Sequence, residues 1–196
     1  ASRAIHKANP DATVIFPGMA PEGGFTVMEK FLDLVYCGIE SGEYGNGSTD
    51  PDDYFDAVAW HCYVFKKFDI EKWVGYNNAV YAVMQKHGEG NKRVFLTEFG
   101  FSDGEKQAAD AEQGGYLTQI YEACRTRMTY VDSIYPFRLI EDETAASWGG
   151  TIEIYYRVFG LSEFGAKEKA KALCRCYGGD VESLDMYIGD NSVYPR

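Results

Sequence analysis

The sequence predicts an α/β protein built as half of a (β/α)8 TIM barrel: four parallel βα units in one 196-residue domain. Three observations lead there. Four short β-branched or aromatic runs, beginning at residues 12, 55, 93 and 130, each lead into a stretch of helical apolar spacing, a rhythm of roughly 35–45 residues. The runs beginning at 55 and 93 are apolar on both alternations, as in parallel strands covered on two faces. Finally, residues 18–24 match neither GxGxxG nor GxxxxGK[ST], which disfavours a doubly wound nucleotide-binding sheet and leaves a barrel arc. A complete barrel takes about 250 residues, so four units make half of one.

The elements follow in order. Residues 1–8 read as a helix stopped by Asn9-Pro10-Asp11. Residues 12–19 (ATVIFPGM) form the first strand, closed by Pro17-Gly18. Residues 25–39 make a helix whose Val27, Met28, Phe31, Leu32, Leu34 and Val35 are spaced to cover a sheet face. The second strand is 55–63 (FDAVAWHCY). A helix over 70–87 follows, with Asp69 as N-cap, Trp73, Val80 and Met84 inward, and Gly88 as its stop. The third strand is 93–100, and its helix spans 106–128 with Tyr116, Leu117, Ile120 and Cys124 inward. Residues 130–139 form the fourth strand, 140–150 a loop, 167–177 the last helix, and 178–196 an irregular tail.

Composition bounds the function. Apolar content of 45% with 15% aromatics describes a folded globule, and the net charge of −11 argues against nucleic acid or an anionic membrane surface as partners. An uncharged partner such as a sugar is compatible. No run of about 18 apolar residues exists, so nothing is expected to span a membrane. The first eight residues hold no signal-peptide core, and both secreted and cytoplasmic locations stay open. Cys37, Cys62, Cys124, Cys174 and Cys176 form no CxxC pair, so no structural zinc and no cofactor are expected, and the thiols read as ordinary buried groups.

The most informative stretch is Val94-Phe95-Leu96-Thr97-Glu98-Phe99-Gly100, a buried run that ends in one acid. Glu98 falls at the carboxyl end of its strand, where ligands collect in α/β sheets. Such an acid either does chemistry or caps a loop and pairs with a cation. His61 and Tyr63, two apart on the neighbouring strand, face one side. His61 alone is equally readable as a satisfied buried imidazole. Trp60 alternates away from His61 and packs under the helices, while Trp73 is core. Phe101 either edges the site or packs beside it.

Together, three stretches resemble the second half of retaining glycoside hydrolases of clan A, near family 39 and its exopolysaccharide-active relatives, with family 5 next. Residues 4–18 (AIHKANPDATVIFPG) are similar to the approach to strand five, residues 55–63 to strand six, and Leu96-Thr97-Glu98-Phe99-Gly100 to strand seven with its nucleophile. Phe159-Gly160-Leu161 followed by Lys167 resembles the stretch before the closing helix. Strand six of the family reads His-Pro-Tyr; here Cys62 stands in place of the proline.

The resemblance implies a glycosidase that cleaves a β-linked glycan, an oligosaccharide or polysaccharide, by double displacement. Glu98 is then the nucleophile, Tyr63 its hydrogen-bond donor and His61 a subsite residue. Trp148 would be an aromatic platform for sugar C–H faces, with Phe101 at the edge of the site. Retaining chemistry needs a second carboxyl group about 5–5.5 Å away. In the family that acid/base is the Glu of an Asn-Glu pair on strand four, and no Asn-Glu occurs in this sequence. The expected remedies are a missing N-terminal half-barrel or a homodimer in which Glu141 or Asp142 of one copy serves the other. The rival expectation is a catalytically silent carbohydrate-binding or self-assembling module.

Overall fold

Strands β1 (Ile15–Met19), β2 (Ala57–His61), β3 (Arg93–Phe99) and β4 (Val131–Pro136) form one sheet in the order β1-β2-β3-β4. The structure is a computed structural model that describes residues 1–21, 24–44, 47–63, 67–100, 110–137 and 168–181. β1 pairs parallel with β2, and β2 with β3. Between β3 and β4 the bonds climb together: Val94 N–H donates to Tyr130 O (3.1 Å) and Phe137 N–H to Phe99 O (2.8 Å). Partner numbers that rise in step mark a parallel pair. Helices α2 (Phe25–Glu40), α3 (Ile70–Lys86) and α4 (Asp110–Thr126) make the three connections, with α1 (Ser2–Ala8) before and α5 (Glu168–Cys176) after. The alternation read from the sequence is therefore the alternation present.

β1 begins at Ile15 and β2 at Ala57, later than the apolar runs suggest, and just before them Val14 and Asp56 are joined through both backbone and side chain. The Asp56 N–H donates to Val14 O at 2.7 Å, and its carboxylate accepts the Val14 N–H at 2.6 Å and bonds His6 Nε2 at 3.0 Å, so the side chain supplements the backbone bond just ahead of the paired strands.

The chain packs as two compact units. The first comprises Ala1–Cys62, Glu71–Glu98 and Met128–Tyr135. Ala57 to Trp60 of β2 and Val94 and Leu96 of β3 are buried, as expected of strands covered on both faces. Ala57, Ala59 and Phe95 share one face, while Trp60 turns the other way onto α3. β1, at the edge of the sheet, is largely exposed. α2 buries a narrower stripe than its composition suggests: Met28, Leu32, Tyr36 and Ile39. Val27, Phe31 and Leu34 are 50%, 49% and 67% exposed. Tyr36 carries much of the contact instead, edge-on to Phe55 at 5.8 Å. The second unit comprises Tyr63–Ile70, Phe99–Arg127 and Pro136–Arg196. There α4 buries Leu117, Ile120, Ala123 and Cys124 and packs on α5, and burial pushes the Cys124 thiol up to about 12.

Helices α2 and α3 end alike. Gly42 and Gly88 adopt φ of +70° and +80°, a conformation cheap only for glycine. Gly88 N–H donates to Gln85 O and Glu89 N–H to Met84 O; Gly42 N–H donates to Ile39 O and Glu43 N–H to Gly38 O. These are paired helix-ending bonds that satisfy the last carbonyls.

A buried relay joins α3 to the sheet. Trp60 Nε1–H donates to Asn77 Oδ1 (2.7 Å), Asn77 Nδ2–H to Trp73 O (2.8 Å), and Trp73 Nε1–H to Cys62 O (3.1 Å). Asn77→Ala strands the Trp60 N–H and should lower unfolding free energy by about 1–3 kcal/mol in urea titrations. A second expectation concerns acid. Arg3 donates two bonds to Asp53 (3.1 and 2.6 Å), and with Ser48 it holds the Asp53 carboxyl at about 2. A depressed folded-state value stabilises above the unfolded value of about 3.9, and that contribution fades as pH falls through about 2. Arg3→Gln should therefore lower the urea midpoint near neutral pH, with the difference closing in strong acid.

Candidate functional site

The carboxyl ends of β2 and β3 carry the site, and an irregularity in their pairing shapes it. Ala59 lies opposite Phe95 and Trp60 opposite Leu96, but His61 lies opposite Glu98, so β3 carries one extra residue, Thr97, at that point. Parallel partners at one level face the same side. Unbroken register would set His61 beside Thr97; the bulge replaces it with Glu98, a re-aiming of the kind bulges provide near functional sites. His61 Nδ1 stands 3.5 Å from Glu98 Oε2, with side-chain exposures of 20% and 36%. The carboxylate is thus reachable from solvent while held beside an imidazole.

β1 contributes a gap. Its register with β2 also breaks, between Phe16 and Met19, where Pro17 and Gly18 lie. A Cβ on Gly18 would stand 2.6 Å from His61 Nε2 and 2.7 Å from Thr97 Oγ1. Neither distance is tolerable for a carbon, so glycine's bare backbone is what lets the imidazole and the threonine close over this strand. The Thr97 hydroxyl is buried and makes no hydrogen bond among the described residues.

The α3 relay ends at the same place. Trp73 holds the Cys62 carbonyl, and Cys62 N–H donates to Glu98 O at 2.9 Å. Here the departure from His-Pro-Tyr has a physical consequence, because proline has no N–H to give to that carbonyl. Cys62 itself is buried, and its thiol points to the same Glu98 carbonyl at 3.9 Å. Cys37, read as an ordinary buried thiol, is exposed.

Of the residues singled out from the sequence, the structure brings His61 and Glu98 together. Tyr63 lies two residues past the end of β2 and belongs to the second unit, where its ring meets Phe137 edge-on at 6.3 Å. Phe101, Glu141, Asp142 and Trp148 lie outside the described residues. Sequence reasoning missed Gly18, Thr97 and Asn77. Pro17-Gly18 inside a strand was a bulge signal, whereas nothing in a Thr-Glu pair announces that the threonine is looped out of register. Chemically, a half-exposed carboxylate fixed through its own backbone, with a nitrogen beside it, can attack an electrophilic carbon or accept a proton.

Comparison with known proteins meets this geometry. The sequence matches the family described as glycosyl hydrolase catalytic core over residues 3–149, well over half of the chain. Among curated proteins none matches. A solved glucosidase from Croceicoccus marinus superposes with a TM-score of 0.56 at 16% identity, covering 90% of this chain and 34% of the glucosidase. A GH2 beta-galacturonidase from Eisenbergiella tayi, bound to galacturonate, gives a TM-score of 0.50 at 17% identity, covering 64% of this chain and 24% of the enzyme. The chain thus spans about a third and about a quarter of those proteins, and at such identities the likeness concerns the fold. The family match covers β1, β2, β3 and the Glu98 site together, and on it the chain belongs to the glycosyl hydrolase catalytic core family.

Proposed function

We propose that the chain carries the nucleophile side of a retaining glycosidase site on half of a (β/α)8 barrel of the clan A type, near family 39, acting on a β-linked glycan. The observation that carries the reading is the His61–Glu98 pair, 3.5 Å apart at the carboxyl ends of adjacent parallel strands. Glu98 attacks the anomeric carbon, forming a glycosyl ester as the leaving oxygen departs, and water later hydrolyses the ester. His61 keeps the carboxylate oriented, and Tyr63 donates to it. The acid/base comes from a partner: a second copy through Glu141 or Asp142, or an N-terminal half-barrel. Trp148 and Phe101 complete the sugar platform.

A 2-fluoro glycosyl donor traps a double-displacement nucleophile as a stable ester. Peptide mapping should find that label on Glu98, and Glu98→Gln should remove it. A chain that binds oligosaccharide yet is never labelled is the silent carbohydrate-binding module instead. Gly18→Ala forces His61 and Thr97 to move, so it should slow labelling of Glu98 and lower unfolding free energy by about 1–3 kcal/mol. Labelling rate and thermal melting on the same sample read both effects.

A further inference from the structure

Away from Glu98, the ends of α2 and α3 gather three different metal-ligating groups. One ligand atom each from Asp33, Cys37 and His87 lies within 4.8 Å of the others. Asp33, Cys37 and Glu40 recur at i, i+4 and i+7 along α2 and so share a face. His87 follows α3 directly, and the glycine-ended turn at Gly88 fixes its backbone. Its imidazole is 95% buried, stacked on Tyr36 at 5.0 Å and 20°. Nδ1–H donates to Glu40 Oε1 at 2.7 Å, which directs Nε2 toward Asp33 Oδ1, also at 2.7 Å. Cys37 is exposed and leaves a way in from solvent.

The geometry points to a single-ion site for a zinc-type divalent cation, held by Asp33, Cys37 and His87 Nε2 and oriented by Glu40. The donor set argues the choice of ion. Thiolate, imidazole and carboxylate together suit a borderline-soft cation, whereas magnesium and calcium take oxygen ligands. A carboxylate accepting the far N–H of a ligating histidine is the usual support for such a ligand, since it fixes both tautomer and ring plane. With metal–ligand bonds near 2.0–2.3 Å, tetrahedral ligand atoms stand about 3.5 Å apart. Asp33 and His87 would part by a little under about 1 Å, the ion taking the place of the Nε2 proton. Lys86, which reaches Asp33 Oδ1 at 2.6 Å, is 61% exposed and can swing into water. The two helix C-termini, with their partial negative charge, favour a cation here. Both helices run back against their strands, so their carboxyl ends lie where the strands begin, opposite Glu98. An ion there would act on stability, not on the chemistry.

The chelator-stripped 196-residue chain titrated with Co²⁺ should bind one ion with a thiolate-to-cobalt charge-transfer band. Cys37→Ser should abolish the band, and Glu40→Gln should weaken binding about 10–100-fold. Added Zn²⁺ at about 100-fold above its dissociation constant should raise the melting temperature by about 5–10 °C. On the unmutated chain, Zn²⁺ should also slow alkylation of Cys37 at least about tenfold, read by peptide mapping, so the result does not depend on a variant folding. No band with the unmutated chain, a band that survives Cys37→Ser, or alkylation indifferent to Zn²⁺ overturns the site and leaves an ion-pair clasp between two helices.

Discussion

One extra residue in β3 sets the geometry on which the rest depends. Because side chains alternate along a strand, a parallel pair in perfect register would present His61 and Thr97 together and send Glu98 the other way. The bulge at Thr97 breaks that alternation once and puts the carboxylate level with the imidazole. The arrangement is costly in principle, since an irregular pairing forfeits ladder bonds, and it leaves the Thr97 hydroxyl buried without a hydrogen bond among the described residues. What makes it stand is its surroundings. Gly18 offers no side chain to collide with, and the Cys62 N–H supplies the backbone bond that Glu98's own carbonyl needs.

Those supports come from three consecutive strands and one helix. The buried polar groups of α3 do not float in the core; Asn77 accepts from Trp60 and donates to the Trp73 carbonyl, and Trp73 in turn reaches Cys62. Every group in this relay is bonded, which is the condition under which a buried polar network specifies one arrangement and does not weaken the core. It ties the position of α3 to the ends of β2 and β3. A change at Asn77 is therefore felt at the level of Glu98, although no atom of Asn77 is placed in the site.

The two ends of the sheet do different work. At the carboxyl ends, a reachable acid sits beside the His61 imidazole, with the bare backbone of Gly18 against that imidazole and Thr97. At the opposite end, charged groups join helices to one another: Lys86 and His87 to Asp33, and His87 to Glu40. Lys92, nearly buried, is held by Asp52 and Glu89. Lys86 and the Asp33 carboxylate shift each other as partners do, Asp33 downward first through Lys86 and then His87, Lys86 upward through Asp33. The separation allows function at one end to vary without disturbing the bonds that position the helices.

By itself the sequence determined the strand and helix alternation, the buried character of β2 and β3, and the place of Glu98 at a strand end. These are local matters: period, β-branching, glycine stops and the absence of a phosphate loop are all written in contiguous residues. The inward turn of Trp60 was legible for the same reason. Only the tertiary structure decided that Thr97 leaves the register, that Gly18 is the floor beneath His61, and that α2 buries Tyr36 while Val27, Phe31 and Leu34 face water. It likewise decided that His87 meets residues of α2 about fifty positions earlier. Each of these is set by which element lies opposite which, and a pairing between distant segments leaves no periodic trace in either of them.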